Sequence, residues 1–194
     1  MRKTVMLILT VMLMATGMVW AMQKKVTFDK QIQDAELVFV GQVISTEPIK
    51  VEQKYLKKVP IQNWIKVGFR ITEIIKDKKK IVKKGDSVIY LHFEGGMGIL
   101  VEDVPNFNIN ENVILILRTH IPVEEIPSFI TAGGEKYEII ENDKDTTKSV
   151  KSWNLGRKIS GFDKGEPIYD KKSSNITSKQ FINEIKKIMK KSIK

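Results

Sequence analysis

The chain has no cysteine anywhere in its 194 residues, and that one absence removes several classes of protein at once. No disulfide framework, thiolate nucleophile, cysteine-ligated metal or lipidated cysteine is available. The fold must stand on its hydrophobic core. Histidine is nearly as scarce: His92 and His120 are the only two, too few for a three-histidine zinc site. His92 with Glu94 is the nearest thing to a ligand pair, and its spacing carries almost no specificity. No serine sits in a Gly-x-Ser-x-Gly elbow, and no dinucleotide fingerprint is present. The cluster Gly95-Gly96-Met97-Gly98 lacks the Lys-Ser/Thr of a phosphate cradle, so its glycines read as suppliers of positive φ in a loop. These absences argue against an enzyme, and no residue is assigned to catalysis, to a cofactor or to a metal.

Arginine is confined to Arg2, Arg70, Arg118 and Arg157, so nearly all of the 33 basic residues are lysines. Bidentate recognition of phosphates and bases prefers the planar guanidinium fork. The excess of positive charge, +10 overall, therefore reads first as a solvated surface, with acidic partners favoured by the sign of the field.

What is present begins with a leader. Arg2 and Lys3 precede an apolar run from Val5 to Trp20, and Val19 with Ala21 makes a Val-x-Ala processing signature. That is the pattern of a secretory signal peptide over residues 1–21, with a membrane anchor as the alternative. Cleavage after Ala21 would release a secreted or periplasmic protein with no membrane span. Losing Arg2 and Lys3 with the leader takes the formal charge from +10 to +8.

About 170 residues then remain, enough for one domain with a sizeable core. Glu36–Ile44 is almost wholly apolar, as in a strand buried on both sides, and Gly41 in its middle signals a bend or a close backbone approach. A long connection, Ser45 to Asn63, follows. Ile65, Val67, Phe69 and Ile71 alternate with Lys66, Gly68, Arg70 and Thr72, giving a strand with one wet face. A lysine-rich turn, Lys76 to Asp86, leads to a strand over Ser87–Phe93, and a further strand is expected over Val113–Thr119. Ser128–Ala132 and Lys136–Glu141 read as a last strand pair around Gly133-Gly134. The short segment Asp29–Ala35 can make one or two helical turns.

Residues 142–176 are polar and rich in lysine and serine, loop-like apart from a short hairpin around Ile159 to Ile168. Trp153 there, with Tyr55 and Trp64 elsewhere, could stack on bases or sugars, but clamps and core residues are the favoured reading. Residues 177–194 then form an amphipathic helix. Thr177 and Gln180 have the spacing of a capping box, and Phe181, Ile182, Ile185, Ile188 and Met189 make one apolar stripe. The stripe is expected to dock on the barrel; its short length disfavours a membrane-surface role.

The expected fold is therefore mainly β: a five- to six-stranded antiparallel barrel of the oligonucleotide/oligosaccharide-binding (OB) kind over residues 22–141, with a C-terminal helix. The run Asp34 to Val43, Gly85-Asp86 before Val88, Gly95-Gly96, Asn110-Glu111-Asn112-Val113, and Gly133-Gly134 with Tyr137 together resemble a widespread group of exported bacterial proteins of unassigned function. Their barrel is similar to the netrin-like module of tissue inhibitors of metalloproteinases. The resemblance implies a binding or inhibitor-like role. Those inhibitors place an N-terminal cysteine on the catalytic zinc, which a chain without cysteine cannot do.

Two functional expectations follow. The first is an exported, non-catalytic domain that contacts an extracytoplasmic protein through long loops, Ser45–Asn63 and Glu94–Asn108, with Met97, Ile99, Leu100 and Val101 as the partner-binding residues. The same four residues could instead fold back as a lid over one barrel end. The second is a barrel that holds an acidic polymer, either a cell-surface polymer or nucleic acid, along its lysine-rich surface.

Overall fold

A computed structural model describes residues 26–50, 63–94, 106–120, 131–141, 148–169 and 175–191. The leader and residues 95–105, with Met97, Ile99, Leu100 and Val101, lie outside the described residues.

Helix α1, Phe28–Asp34, is opened by Thr27, whose hydroxyl oxygen accepts from the Lys30 amide. Eight strands follow: β1 (Leu37–Lys50), β2 (Asn63–Asp77), β3 (Val88–Glu94), β4 (Asn112–His120), β5 (Thr131–Glu141), β6 (Lys148–Ser152), β7 (Arg157–Asp163) and β8 (Glu166–Tyr169). Helix α2, Ser178–Lys191, closes the described chain. Its N-terminus is the expected capping box: the Gln180 amide donates to the Thr177 hydroxyl at 3.2 Å, and the Thr177 amide donates to the Gln180 side chain at 2.8 Å.

The strands form one sheet in the order β3-β2-β1-β4-β5-β6-β7-β8, with neighbours antiparallel. One further pairing, parallel, joins His92 of β3 to Thr131 of β5. The expected count of five to six strands is thus too low. Three strands lie in the polar stretch 142–176: β7 and β8 form the short hairpin expected around Ile159 to Ile168, and β6 falls where a loop was expected. Ser149 and Ser152 are buried there beside Val150, so β6 joins the sheet through backbone pairing while showing little apolar alternation.

Strand β1 carries the architecture, because it pairs along β2 and also with β4. Gly41 faces Ile71 on one side and Val113 on the other, next to a register shift at Val40/Gly41. A Cβ at this position would lie 2.8 Å from the Arg70 carbonyl oxygen. The glycine is therefore required by a close backbone approach, as its place in the apolar run suggested. The pair Gly133-Gly134 behaves differently from expectation. No turn forms there, and β5 runs straight through both glycines. At Gly134 φ is +147°, and a Cβ would collide with the Ile116 carbonyl oxygen, so this close crossing of β4 admits only glycine.

Two hydrophobic cores lie on opposite faces of the central strands. Leu37, Phe39 and Val43 of β1 join Val67, Phe69, Leu91, Phe93, Phe107, Val113, Leu115 and Leu117 in one. Val38 and Val40 join Ile114, Ile116, Tyr137, Val150, Ile159 and the helices in the other. This is why the β1 run is apolar without a period of two: both of its faces are covered. Phe28 and Ile32 of α1, with Phe181, Ile185 and Ile188 of α2, supply the apolar lining of the second core. Phe28 packs within 6.0 Å of Tyr137, Phe162 and Phe181, ring centre to ring centre. The helical stripe read from the sequence therefore docks on the sheet.

Candidate binding surface

On β2 the residues that point away from the first core are Lys66, Gly68 and Arg70, and their partners on β3 are His92, Tyr90 and Val88. The alternation puts these six on one face of the hairpin. Tyr90 is 45 % exposed, and its ring lies against Gly68, where a Cβ would come within 2.9 Å of it and within 2.6 Å of the Ser45 hydroxyl. The Lys66 ammonium sits 4.6 Å from the Tyr90 ring centre, a cation–π contact. Arg70 is exposed and has no ion-pair partner among the described residues. The result is an exposed aromatic ring carrying one cation, with the exposed Arg70 one residue pair along and Gly68 and His92 buried on the same face.

Beyond Arg70 the hairpin anchors α1. The Lys76 ammonium donates to the carbonyls of Ile32 and Gln33, each at 2.9 Å, and so satisfies oxygens at the end of that helix. Burial, with Lys78 nearby, pulls the Lys76 pKa below its usual value. Lys79 bonds to Glu36 at 2.8 Å and to the Thr119 carbonyl at 2.7 Å. Burial pushes the Glu36 carboxyl up, but Lys79 and the amide and hydroxyl of Thr119 outweigh it and hold its pKa below the usual glutamate value. Two lysines of the charge-rich turn are thus structural.

A different lysine closes one end of the first core. Lys136 has a fully buried side chain, and its ammonium meets the Glu111 carboxylate oxygens at 2.7 and 2.8 Å. It also donates to the Asn106 carbonyl and lies 5.1 Å from the Phe107 ring centre. Phe107 in turn packs at 4.7 Å on Phe93 and 5.4 Å on Phe69. Lys136 therefore pins the segment Asn106–Glu111 over the core. In the sequence it looks like any solvated lysine on a strand.

His92 is buried at 5 % exposure. His120 closes β4, and both histidines are register partners of Thr131, a convergence across three strands that spacing in the sequence could not reveal. Trp64 is buried, and Trp153 is half-buried with its amide donating to the Lys136 carbonyl at 3.1 Å. A cleft of about 350 Å³ lies between α1 and the β4–β5 pair, bordered by Gln31, Ala35, Ile116, Arg118, Gly134 and Glu135. Arg118 at its edge is paired with Asp34 at 2.9 Å. Among the described residues no group of three or more histidine, aspartate or glutamate side chains could hold a metal ion. Among them, too, no helix is long and apolar enough to cross a membrane.

No protein-family model matches this chain, and no curated protein matches it.

Proposed function

We propose that the mature chain is an exported, non-catalytic binding module whose strands β1–β5 close into an OB-type barrel and whose β2–β3 face receives an acidic polymer. Closure is supported by the His92–Thr131 pair, which joins the first strand of the order to the fifth, and by the enclosed first core with Phe107 at one end. Five strands in the cycle β1-β2-β3-β5-β4 are the minimum for such a barrel. Export rests on the leader pattern of residues 1–21.

The observation that carries the polymer reading is the Lys66–Tyr90–Arg70 arrangement: an exposed ring seated over Gly68 carries the Lys66 ammonium, with the exposed Arg70 on the same strand face one residue pair along. Barrels of this class use that same face for chain-like ligands, and cations interleaved with an aromatic suit a charged backbone carrying rings or bare phosphates. The protein-partner reading depends on Met97, Ile99, Leu100 and Val101.

Binding of the mature protein to long-chain polyphosphate, followed by fluorescence anisotropy, tests the reading. Affinity should fall steeply between 50 and 200 mM salt, and Lys66→Gln with Arg70→Gln should weaken it. No binding at 50 mM salt would refute the acidic-polymer reading. Recovery of one stoichiometric protein that survives high salt, and is lost on charging Met97 and Ile99, would favour the protein partner.

A further inference from the structure

The turn between β2 and β3 is a fixed scaffold for unpaired positive charge. Asp77 closes it: its two carboxylate oxygens accept the amides of Ile81 at 2.9 Å and Val82 at 2.8 Å. The Lys78 amide donates to the Glu36 carbonyl at 2.7 Å, the Asp86 amide to the Lys83 carbonyl at 3.0 Å, and the Ile71 amide to the Ser87 carbonyl at 2.8 Å. Lys80 takes the left-handed conformation, with φ at 54°. Ile81 and Val82 turn inward and pack against the first core.

This geometry sorts the lysines of the turn. Lys76 and Lys79 are bonded inward to carbonyl and carboxylate oxygens. Lys78, Lys80, Lys83 and Lys84 are exposed and have no ion-pair partner among the described residues. Asp77 is spent on the two amides, which leaves Asp86 as the one exposed carboxylate of the turn. The backbone is held on both sides, so its cations need little ordering on binding. The return limb of the turn comes back beside β2 where the Ser87 carbonyl meets the Ile71 amide, next to the Arg70–Val88 pair, so the lysine-bearing segment is continuous along the chain with the β2–β3 hairpin that carries Lys66 and Arg70.

We infer that this turn is a docking site for the backbone of a linear phosphate polymer, resting on the acidic-polymer reading above. Lysine is a compact, hydrated point charge that suits single phosphates placed along a chain. A bilayer fits less well, because the apolar residues of the turn, Ile81 and Val82, face the core and leave no anchor for lipid. A protein fits less well too, since no aromatic or apolar anchor stands among the four lysines.

The test replaces Lys78, Lys80, Lys83 and Lys84 together by glutamine in the mature chain, with polyphosphate and a labelled oligothymidylate as the two polymer probes and phosphatidylglycerol vesicles as the third. The four side chains are exposed and make no hydrogen bond or ion pair among the described residues, so the melting temperature should not move. Four phosphate contacts correspond to a slope of log affinity against log salt of about −2.8, or roughly 50-fold between 50 and 200 mM salt. The variant should lose about that much slope on both polymers. If wild type binds polyphosphate and the variant keeps the same slope, the turn is not the site, although the acidic-polymer reading stands. If wild type does not bind polyphosphate at 50 mM salt, that reading fails as well. Tighter binding to vesicles than to either polymer overturns the assignment to a polymer. Preference between polyphosphate and oligothymidylate separates a bare phosphate chain from a nucleic acid.

Discussion

Replacing Lys136 by methionine removes a charge while nearly conserving volume, and the structure sets what that should cost. The Lys136 ammonium is inaccessible to water and is held by both oxygens of Glu111 and by the Asn106 carbonyl, with Glu138 at 3.7 Å. Deleting one member of a buried pair costs about 3–5 kcal/mol, chiefly because the partner keeps a charge it can no longer satisfy. Glu111 is 13 % exposed and can recover some hydration, which places Lys136→Met near the lower end, about 3 kcal/mol. For a domain of this size that lowers the melting temperature by roughly 6–12 °C. Urea denaturation at neutral pH measures it directly, and the double variant Lys136→Met/Glu111→Gln should recover part of the loss, giving a coupling energy above about 1 kcal/mol. A loss below about 1 kcal/mol for the single variant, or strict additivity in the double, would refute the claim that this pair pins Asn106–Glu111 over the core.

Four further outcomes are expected. Gly41→Val should destabilise by about 1–3 kcal/mol, because a Cβ there would stand 2.8 Å from the Arg70 carbonyl oxygen; an unchanged urea midpoint would remove the reason for the glycine. Gly134→Ala should cost on the order of 3 kcal/mol from a positive φ combined with the Ile116 carbonyl. Its control, Gly85→Ala, has positive φ but open space around it and should cost clearly less in the same denaturation series. Glu36 has a folded-state pKa below its ordinary 4.5, so its contribution is present above that value and fades as pH falls through the depressed one. Glu36→Gln should lower stability at neutral pH and flatten its fall in acid, as followed by thermal melts across pH; an unaltered acid limb would contradict this. Intact-mass measurement of exported protein should find Met22 as the first residue, and a retained Met1–Ala21 segment would mean an anchored form.

Much of the central sheet could be read from residue order because its signals are local. The unbroken apolar run of β1 announced a strand covered on both faces, and Gly41 announced a close approach within it. Alternation in β2 separated Lys66 and Arg70 from Val67 and Phe69, and Thr177 with Gln180 marked the start of α2. Other features depend on pairings distant in sequence. Gly133-Gly134 has the composition of a turn, and only the approach of β4 explains why two glycines lie inside a strand. Strand β6 buries two serines around one valine, so neither period nor hydropathy marks it, whereas β7 and β8 fall on the hairpin that was legible around Ile159 to Ile168. Lys136 resembles a surface lysine until Glu111 and Phe107 are brought to it. The lysine-rich turn was visible as a charge run, yet the division between Lys76 and Lys79, bonded inward, and Lys78, Lys80, Lys83 and Lys84, exposed and without an ion pair among the described residues, arises from where α1 and Thr119 fall in the fold.

The central claim is that the β2–β3 hairpin, through Lys66, Tyr90, Arg70 and the lysines of its turn, receives an acidic polymer. Amide chemical-shift mapping of the isotopically labelled mature protein during a polyphosphate titration at low salt tests it most directly. The account predicts that the amides of Lys66, Arg70 and Tyr90 and of residues 78–84 shift together along one binding curve, while those of β6 to β8 and α2 stay still. Shifts confined to α2 or to β6–β8, or no saturable shifts at all, would contradict it.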